Sequence, residues 1–296
     1  MVDIGIVGLD TSHAESFAEE VQGRASTTIT GVWDGGDVRD ESYLKTYCEQ
    51  YDAVRYDDPH AMVGAVDAVM ILTVNWDTHR ELAVPFLEND VVTLVDKPIA
   101  GTLADVHAIE KAAEGTPFFG GSAVPFHSNV QSFDFESDGR TLYCVGFDDP
   151  FYYGVHLVDT VCRIVDEAWA TVRPSYEPGQ TIEIVFKDGT YVTVRLDSTG
   201  DEEQFAFLTL DNQASTARVG SSRADLADMY ERYIDTFLQI STGERPSDTR
   251  VFDAAKLSLA VQAALEHGSP ITPECQLLAE YDIDGRNFLE NYIPYY

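Results

Sequence analysis

Short apolar runs alternate with stretches of helical period through the first 121 residues, and this alternation constrains the fold more than any other feature. Residues 2–9, Val-Asp-Ile-Gly-Ile-Val-Gly-Leu, suit a buried parallel strand. Beyond them Ala14, Phe17, Ala18 and Val21 share one helical face, and Ser12 and Glu15 are spaced as a capping box. Further strands are expected over 27–33, 65–74, 91–95 and 117–121. A helix is expected from His79, grouping Leu82, Ala83, Phe86 and Leu87. Another follows the Thr102/Asp105 capping box through Val106, Ile109 and Ala113. Strands joined by crossovers of this length pair in parallel, with helices on both faces. Residues 1–121 therefore read as a doubly wound α/β domain.

The pattern changes after Gly121. A helix is expected over 155–165. Runs at 181–186 and 191–196 flank Lys187-Asp188-Gly189-Thr190, and Asp-Gly between such runs is a hairpin signal. Runs at 205–210 and 214–219 flank a second expected turn at Asp211-Asn212. Ser222 and Asp225 cap a long helix whose stripe of Leu226, Met229, Tyr230, Tyr233, Ile234, Phe237 and Leu238 reads as core. Another helix is expected over 251–266. Residues 122–296 thus read as an α+β domain on an open, mainly antiparallel sheet.

Charge narrows the partners. The chain carries 51 acidic and 19 basic residues, a formal charge of −32, which disfavours nucleic acid and anionic membranes. Only five residues are lysine: Lys45, Lys97, Lys111, Lys187 and Lys256. Dispersed acids with few lysines resemble proteins of salt-loving organisms, where molar salt screens self-repulsion. Cys48, Cys144, Cys162 and Cys275 form no C-x-x-C pair, which fits a reducing cytoplasm. The histidines show no metal-ligand spacing, so no metal is expected.

The first strand leads into Gly8-Leu9-Asp10-Thr11-Ser12-His13. In the G-x-G-x-x-G frame of a dinucleotide turn, Gly8 is the first glycine, and Asp10 and His13 hold the other two positions. A carboxylate at 10 would face approaching phosphates, and an imidazole at 13 would part helix from strand. Helix amides still favour an anion, although the Ser12 side chain would occupy one. Asp34 ends the second strand, 26 residues after Gly8. From there a carboxylate accepts from a ribose 2′-hydroxyl and repels a 2′-phosphate, which predicts NAD over NADP. The alternative, that Asp34 only starts the Asp34-Gly35-Gly36-Asp37 turn, stays open.

Val95-Asp96-Lys97-Pro98-Ile99-Ala100 resembles the strand end of the Gfo/Idh/MocA oxidoreductases, typically Glu-Lys-Pro. Val66-Asp67-Ala68-Val69-Met70-Ile71, His79-Arg80-Glu81-Leu82-Ala83 and Gly154-Val155-His156-Leu157-Val158-Asp159 are similar to further family segments. The resemblance implies a Rossmann-like first domain and hydride transfer between a nicotinamide and a hydroxyl-bearing carbon of a sugar, sugar acid or cyclitol. It implies Lys97 as electrostatic or proton-relay group and His156 as acid–base group, with Asp159 orienting that histidine or binding a substrate hydroxyl. The turn residues Gly8, Asp10, Thr11, Ser12 and His13, with Asp34, Val74, Asn75, His79, Asp96 and Lys97, would hold the cofactor. The resemblance further implies a homodimer or homotetramer through the second sheet.

The chain departs from the family pattern at several points. Tyr152 stands where an aspartate commonly precedes the histidine by four residues. It either acts as acid or base beside Lys97 or fills space. The family's Thr-Pro-Asn-x-x-His becomes Val74-Asn75-Trp76-Asp77-Thr78-His79, without its proline. Ser122-Ala123-Val124-Pro125 lacks an arginine that many members carry. An alternative reading is a non-redox small-molecule binding or regulatory protein with a degenerate cofactor site.

Overall fold

The structure, a computed structural model, describes residues 1–175, 179–198, 203–210 and 214–294. The turn expected at Asp211-Asn212 lies outside the described residues. Strands β1 (Val2–Val7), β2 (Thr27–Trp33), β3 (Val54–Arg55), β4 (Ala68–Ile71), β5 (Val92–Asp96) and β6 (Phe118–Gly121) form one parallel sheet, ordered β3-β2-β1-β4-β5-β6. Helices α1 (His13–Gln22), α2 (Glu41–Tyr51), α3 (His79–Leu87) and α4 (Leu103–Ala112) make the connections. Every residue of β4 and β5 is buried, as strands covered on both faces require. The strand order reverses between β1 and β4, which opens a crevice at their carboxyl ends.

Local chemistry sets the boundaries. Strand β4 is shorter than the 65–74 run. Ala65 and Val66 donate back to the Met62 carbonyl, and Val74 donates to the Asp10 carboxylate. The Thr102 and Ser222 caps form, accepting from Asp105 N and Asp225 N. The Ser12/Glu15 box does not. Thr11 Oγ1 accepts from His13 N at 3.2 Å, and Glu15 accepts from the Tyr43 hydroxyl on α2. Helix α2 and edge strand β3 are additions to the expected pattern. Leu44, Tyr47 and Tyr51 form the buried face of α2, and Asp40 caps it.

The second sheet contains β7 (Thr141–Phe147), β8 (Trp169–Pro174), β9 (Thr181–Phe186), β10 (Tyr191–Ser198), β11 (Glu203–Leu210) and β12 (Ala214–Gly220), ordered β12-β11-β7-β10-β9-β8. The β9/β10 and β11/β12 pairs are antiparallel, as expected. The unforeseen strand β7 runs parallel to β10 and antiparallel to β11, so the sheet is mixed. The remaining helices are α5 (Ser128–Gln131), α6 (Gly154–Ile164), α7 (Arg223–Ser241), α8 (Arg250–His267), α9 (Gln276–Ala279) and α10 (Gly285–Asn291). Helix α7 packs on α1, and α8 packs on both α4 and α6, joining the two sheets through one apolar core. The outer face of the second sheet exposes Tyr143 and Val145.

Candidate active site

A cleft of about 310 Å³ opens beyond the carboxyl ends of the parallel strands. The first turn brings Thr11, Ser12 and His13 to it, and the loop after β5 brings Lys97. The start of α6 supplies Tyr152, Tyr153 and His156, while Phe205, Met229, Tyr230 and Tyr292 wall the far side.

The turn shows why Gly8 stands where it does. Its φ is +92°, and a Cβ there would lie 2.6 Å from Thr73 Cγ2 and 2.8 Å from Thr73 N. Asp10 does not face the cleft as expected. Its side chain turns beneath the loop, is 3% exposed, and accepts from Val74 N at 2.8 Å. Burial pushes its carboxyl up to about 7. His13 does not part helix from strand either. Its ring stacks on Phe17 at 4.7 Å and meets Tyr230 edge-on at 5.4 Å, filling the space between α1 and α7. Ser12 leaves its helix amides alone. Among the described residues the Thr11 and Ser12 N–H groups have no protein acceptor. Asp34 accepts from Leu9 N at 2.7 Å and Gly36 N at 3.0 Å, so it braces the first turn as well as starting its own.

His13 Nδ1 lies 2.5 Å from Asp96 Oδ2, and Asp96 Oδ1 accepts from Lys97 N at 2.7 Å. Asp96 is therefore buried beneath the site, joining the first turn to the Asp-Lys-Pro loop, and does not line the cleft. Burial alone would raise its carboxyl, but the His13 imidazole and the Lys97 ammonium hold it below the ordinary range. The Lys97 side chain is itself buried. Its Nζ sits 3.3 Å above the centre of the Tyr152 ring and 3.4 Å from the Tyr152 carbonyl oxygen. Burial pushes the Lys97 ammonium down to about 8, against the pull of Asp96 and Asp149. The ammonium thus lies on the ring face of Tyr152, not at its hydroxyl. Tyr152 holds the cation, and the ring stacks in turn on Phe288 of α10 at 4.5 Å.

His156 Nδ1 lies 2.7 Å from Ser122 Oγ. Burial first, then the charges of Lys97 and His13, push its imidazole well below the ordinary range, so it is neutral. Asp159 does not orient it directly. That carboxylate is 1% exposed, accepts from Arg163 Nε and Ser122 N at 2.7 Å each, and reaches His156 only through Ser122. Gly121 makes the approach possible, since a Cβ there would lie 2.6 Å from Asp159 Oδ2. Arg163 also pairs with Asp248.

Val74, Asn75 and His79 brace the loop after β4 and line no part of this cleft. Asn75 Oδ1 accepts from Asp77 N at 3.1 Å. His79 is fully buried, with its ring nitrogens 2.9 Å from the Thr73 carbonyl and 3.1 Å from that of Ile99. Conversely, Met229 and Tyr230 face the cleft from a stripe whose spacing alone assigns them to the core. Nothing in the local sequence marks Ser122 or Phe288 as supports of the site.

Residues 2–117 match the family model of Gfo/Idh/MocA, described as an oxidoreductase family with an NAD-binding Rossmann fold. Over this segment the chain is similar to the nucleotide-binding domain of that family. Solved structures extend the likeness through both domains. The Lactobacillus casei myo-inositol dehydrogenase, in complex with NAD(H) and myo-inositol, is 11% identical with a TM-score of 0.79, over 92% of this chain and 96% of that one. The apo scyllo-inositol dehydrogenase of the same organism is 12% identical with a TM-score of 0.76, over 93% and 99%. An Agrobacterium radiobacter oxidoreductase in complex with NAD+, L-tartaric acid and magnesium is 16% identical with a TM-score of 0.71, over 92% and 98%. At these identities the likeness is one of fold. A sequence search of the curated proteins finds no match. The free Thr11 and Ser12 amides, the close approach at Gly8 and the Asp34 carboxylate just after β2 are features that suit a dinucleotide.

Proposed function

We propose that the protein is an NAD-dependent dehydrogenase acting on a hydroxyl-bearing ring carbon of a sugar or cyclitol. The observation that carries this reading is the meeting of Lys97 and His156 in one cleft with the free amides of the first turn. NAD supplies the hydride acceptor when bound. Thr11 and Ser12 would hold its pyrophosphate. Asp34 would accept from the ribose 2′-hydroxyl and disfavour a 2′-phosphate. Lys97 lies close enough to neutrality to exchange a proton with a substrate hydroxyl. Among the described residues lining the cleft none is an arginine, so a neutral ring is favoured over a sugar acid. The apolar faces of such a ring suit Tyr153, Phe205 and Tyr230.

The alternative of a non-redox binding protein draws on the Asp10/His13 turn, Tyr152 and the missing arginine. The part resting on Asp10 weakens, because Asp10 turns away from the cleft. Calorimetric titration of NADH and NADPH into the protein in molar KCl separates the two. The dehydrogenase reading expects NADH to bind with a clear preference over NADPH. Folded protein, free of copurified cofactor, that binds neither would favour the non-redox alternative.

The open face of the second sheet, with Tyr143 and Val145 exposed, supports pairing with a second copy. Sedimentation in molar salt is expected to give a dimer or tetramer, and a monomer overturns this. Four free cysteines support a cytoplasmic location. Among the described residues no helix is long and apolar enough to cross a membrane.

A further inference from the structure

We infer that Ser122 is a positioning residue that fixes His156 as its Nε2–H tautomer, so that the imidazole offers the cleft a hydrogen-bond donor and not a base. The inference rests on the proposed reaction only for its catalytic meaning; the tautomer itself follows from hydrogen-bond accounting.

The Ser122 side chain is 0% exposed. Its oxygen accepts from Val124 N at 3.0 Å, which leaves the hydroxyl proton to be placed. Among the described residues the one acceptor within bonding distance of that hydroxyl is His156 Nδ1, at 2.7 Å. A buried hydroxyl proton left without an acceptor costs about 1–3 kcal/mol. The hydroxyl therefore donates to Nδ1, and the ring proton sits on Nε2. The opposite tautomer would put the Nδ1 proton against the serine oxygen and orphan the serine proton.

The serine is well anchored for this task. Its backbone N donates to Asp159 Oδ2, and Arg163 holds the other oxygen of that carboxylate. Tyr152 stands where the family pattern commonly has an aspartate. Ser122, at the end of β6, supplies the orienting contact from a different element. The charged and titratable groups around the imidazole are Lys97, His13 and Tyr153. Burial first, then the electrostatic influence of Lys97 and His13, opposes a second proton on the ring.

The roles expected for the cleft then divide differently. In alcohol oxidation the neutral Lys97 amine would take the hydroxyl proton, and NAD, when bound, would supply the acceptor for the hydride leaving the same carbon. His156 keeps its Nε2 proton and donates a hydrogen bond to the substrate oxygen. Asp96 and Asp149 are the carboxylates that bias Lys97 toward its charged form.

Long-range proton–nitrogen correlation spectra of histidine-labelled protein test the tautomer without any turnover. His156 is assigned by its loss in His156→Asn. The expected pattern is an unprotonated Nδ1 and a protonated Nε2 at neutral pH and above. A protonated Nδ1, or an imidazolium in that range, overturns the inference. Ser122→Ala is expected to release Nδ1 and change the pattern, while an unchanged pattern removes Ser122 from the account. If Ser122→Ala fails to fold, the parent spectrum alone decides the tautomer. Once a substrate is known, kcat/KM for oxidation is expected to rise with pH to one apparent value near that of Lys97. An added ascending limb in the imidazole range overturns the division of roles. Failure to bind NADH would reject the proposed function and leave the spectra to decide the tautomer.

Discussion

Asp10 and Lys97 are both buried and both shifted, and the two shifts make separate predictions. The folded Asp10 carboxyl stands at about 7 against an unfolded value near 3.8. Between those values the folded chain binds more protons than the unfolded one. Stability from this group therefore falls as pH rises from about 4 to about 7, and the full cost persists above that. Asp10→Asn keeps an oxygen acceptor for Val74 N and removes the charge. Its Tm is expected to exceed the parent's at pH 8 and to match it at pH 4, by roughly 2–4 °C for each kcal/mol relieved. A lower Tm at pH 8 would show that the carboxylate itself is needed. For Lys97→Met, kcat is expected to fall by about 10²–10⁴-fold with the fold and NADH affinity retained. Unchanged turnover by initial-rate assay refutes the role of Lys97.

At the scale of elements, α10 carries the clearest consequence. It lies against the loop after β4, far from its neighbours in sequence. Trp76 Nε1 donates to the Ile283 carbonyl at 2.7 Å, and Asp77 accepts from Gly285 N and Arg286 N at the start of the helix. Phe288 then stacks on the ring that carries the Lys97 ammonium. Asp77→Ala removes a carboxylate from the helix N-terminus and is expected to cost about 0.5–2 kcal/mol in denaturant unfolding. It should also lower kcat through a looser Tyr152, although Asp77 lies outside the cleft. An unaltered kcat at lower stability would confine α10 to a structural role. The other elements differ in how legible they were. Strand β2 and the Thr102 and Ser222 caps could be read directly, because local spacing determines them. Helix α2 also carried a signal, with Asp40 ahead of Leu44, Tyr47 and Tyr51. Strand β7 is set by pairing with the distant strands β10 and β11, which no local pattern announces.

Over the whole molecule, charge is the dominant property. A formal charge of −32 gives strong self-repulsion, which molar salt screens over about 3 Å. The Tm is expected to rise between about 0.1 and 2 M KCl. A flat or falling Tm would count against adaptation to salt. The contact between α1 and α7 adds a specific charge pair. Arg24, just beyond α1, pairs with Glu20 on that helix and with Asp235 on α7.

The sequence alone determined what depends on short-range periodicity and backbone freedom: the parallel sheet, the Gly8 turn, and the placing of Lys97 and His156 at strand and helix ends facing one crevice. Tertiary structure decided what each side chain does there. Asp10 meets Val74 across 64 residues, His13 meets Asp96 across 83, and Asp159 and Ser122 meet across 37. Each of these contacts uses an oxygen or nitrogen that a local reading had assigned to cofactor, substrate or helix packing. Burial makes unpaired polar groups costly, so such a group takes whichever partner packing brings within reach. Those partners became adjacent only when the helices closed over the two sheets.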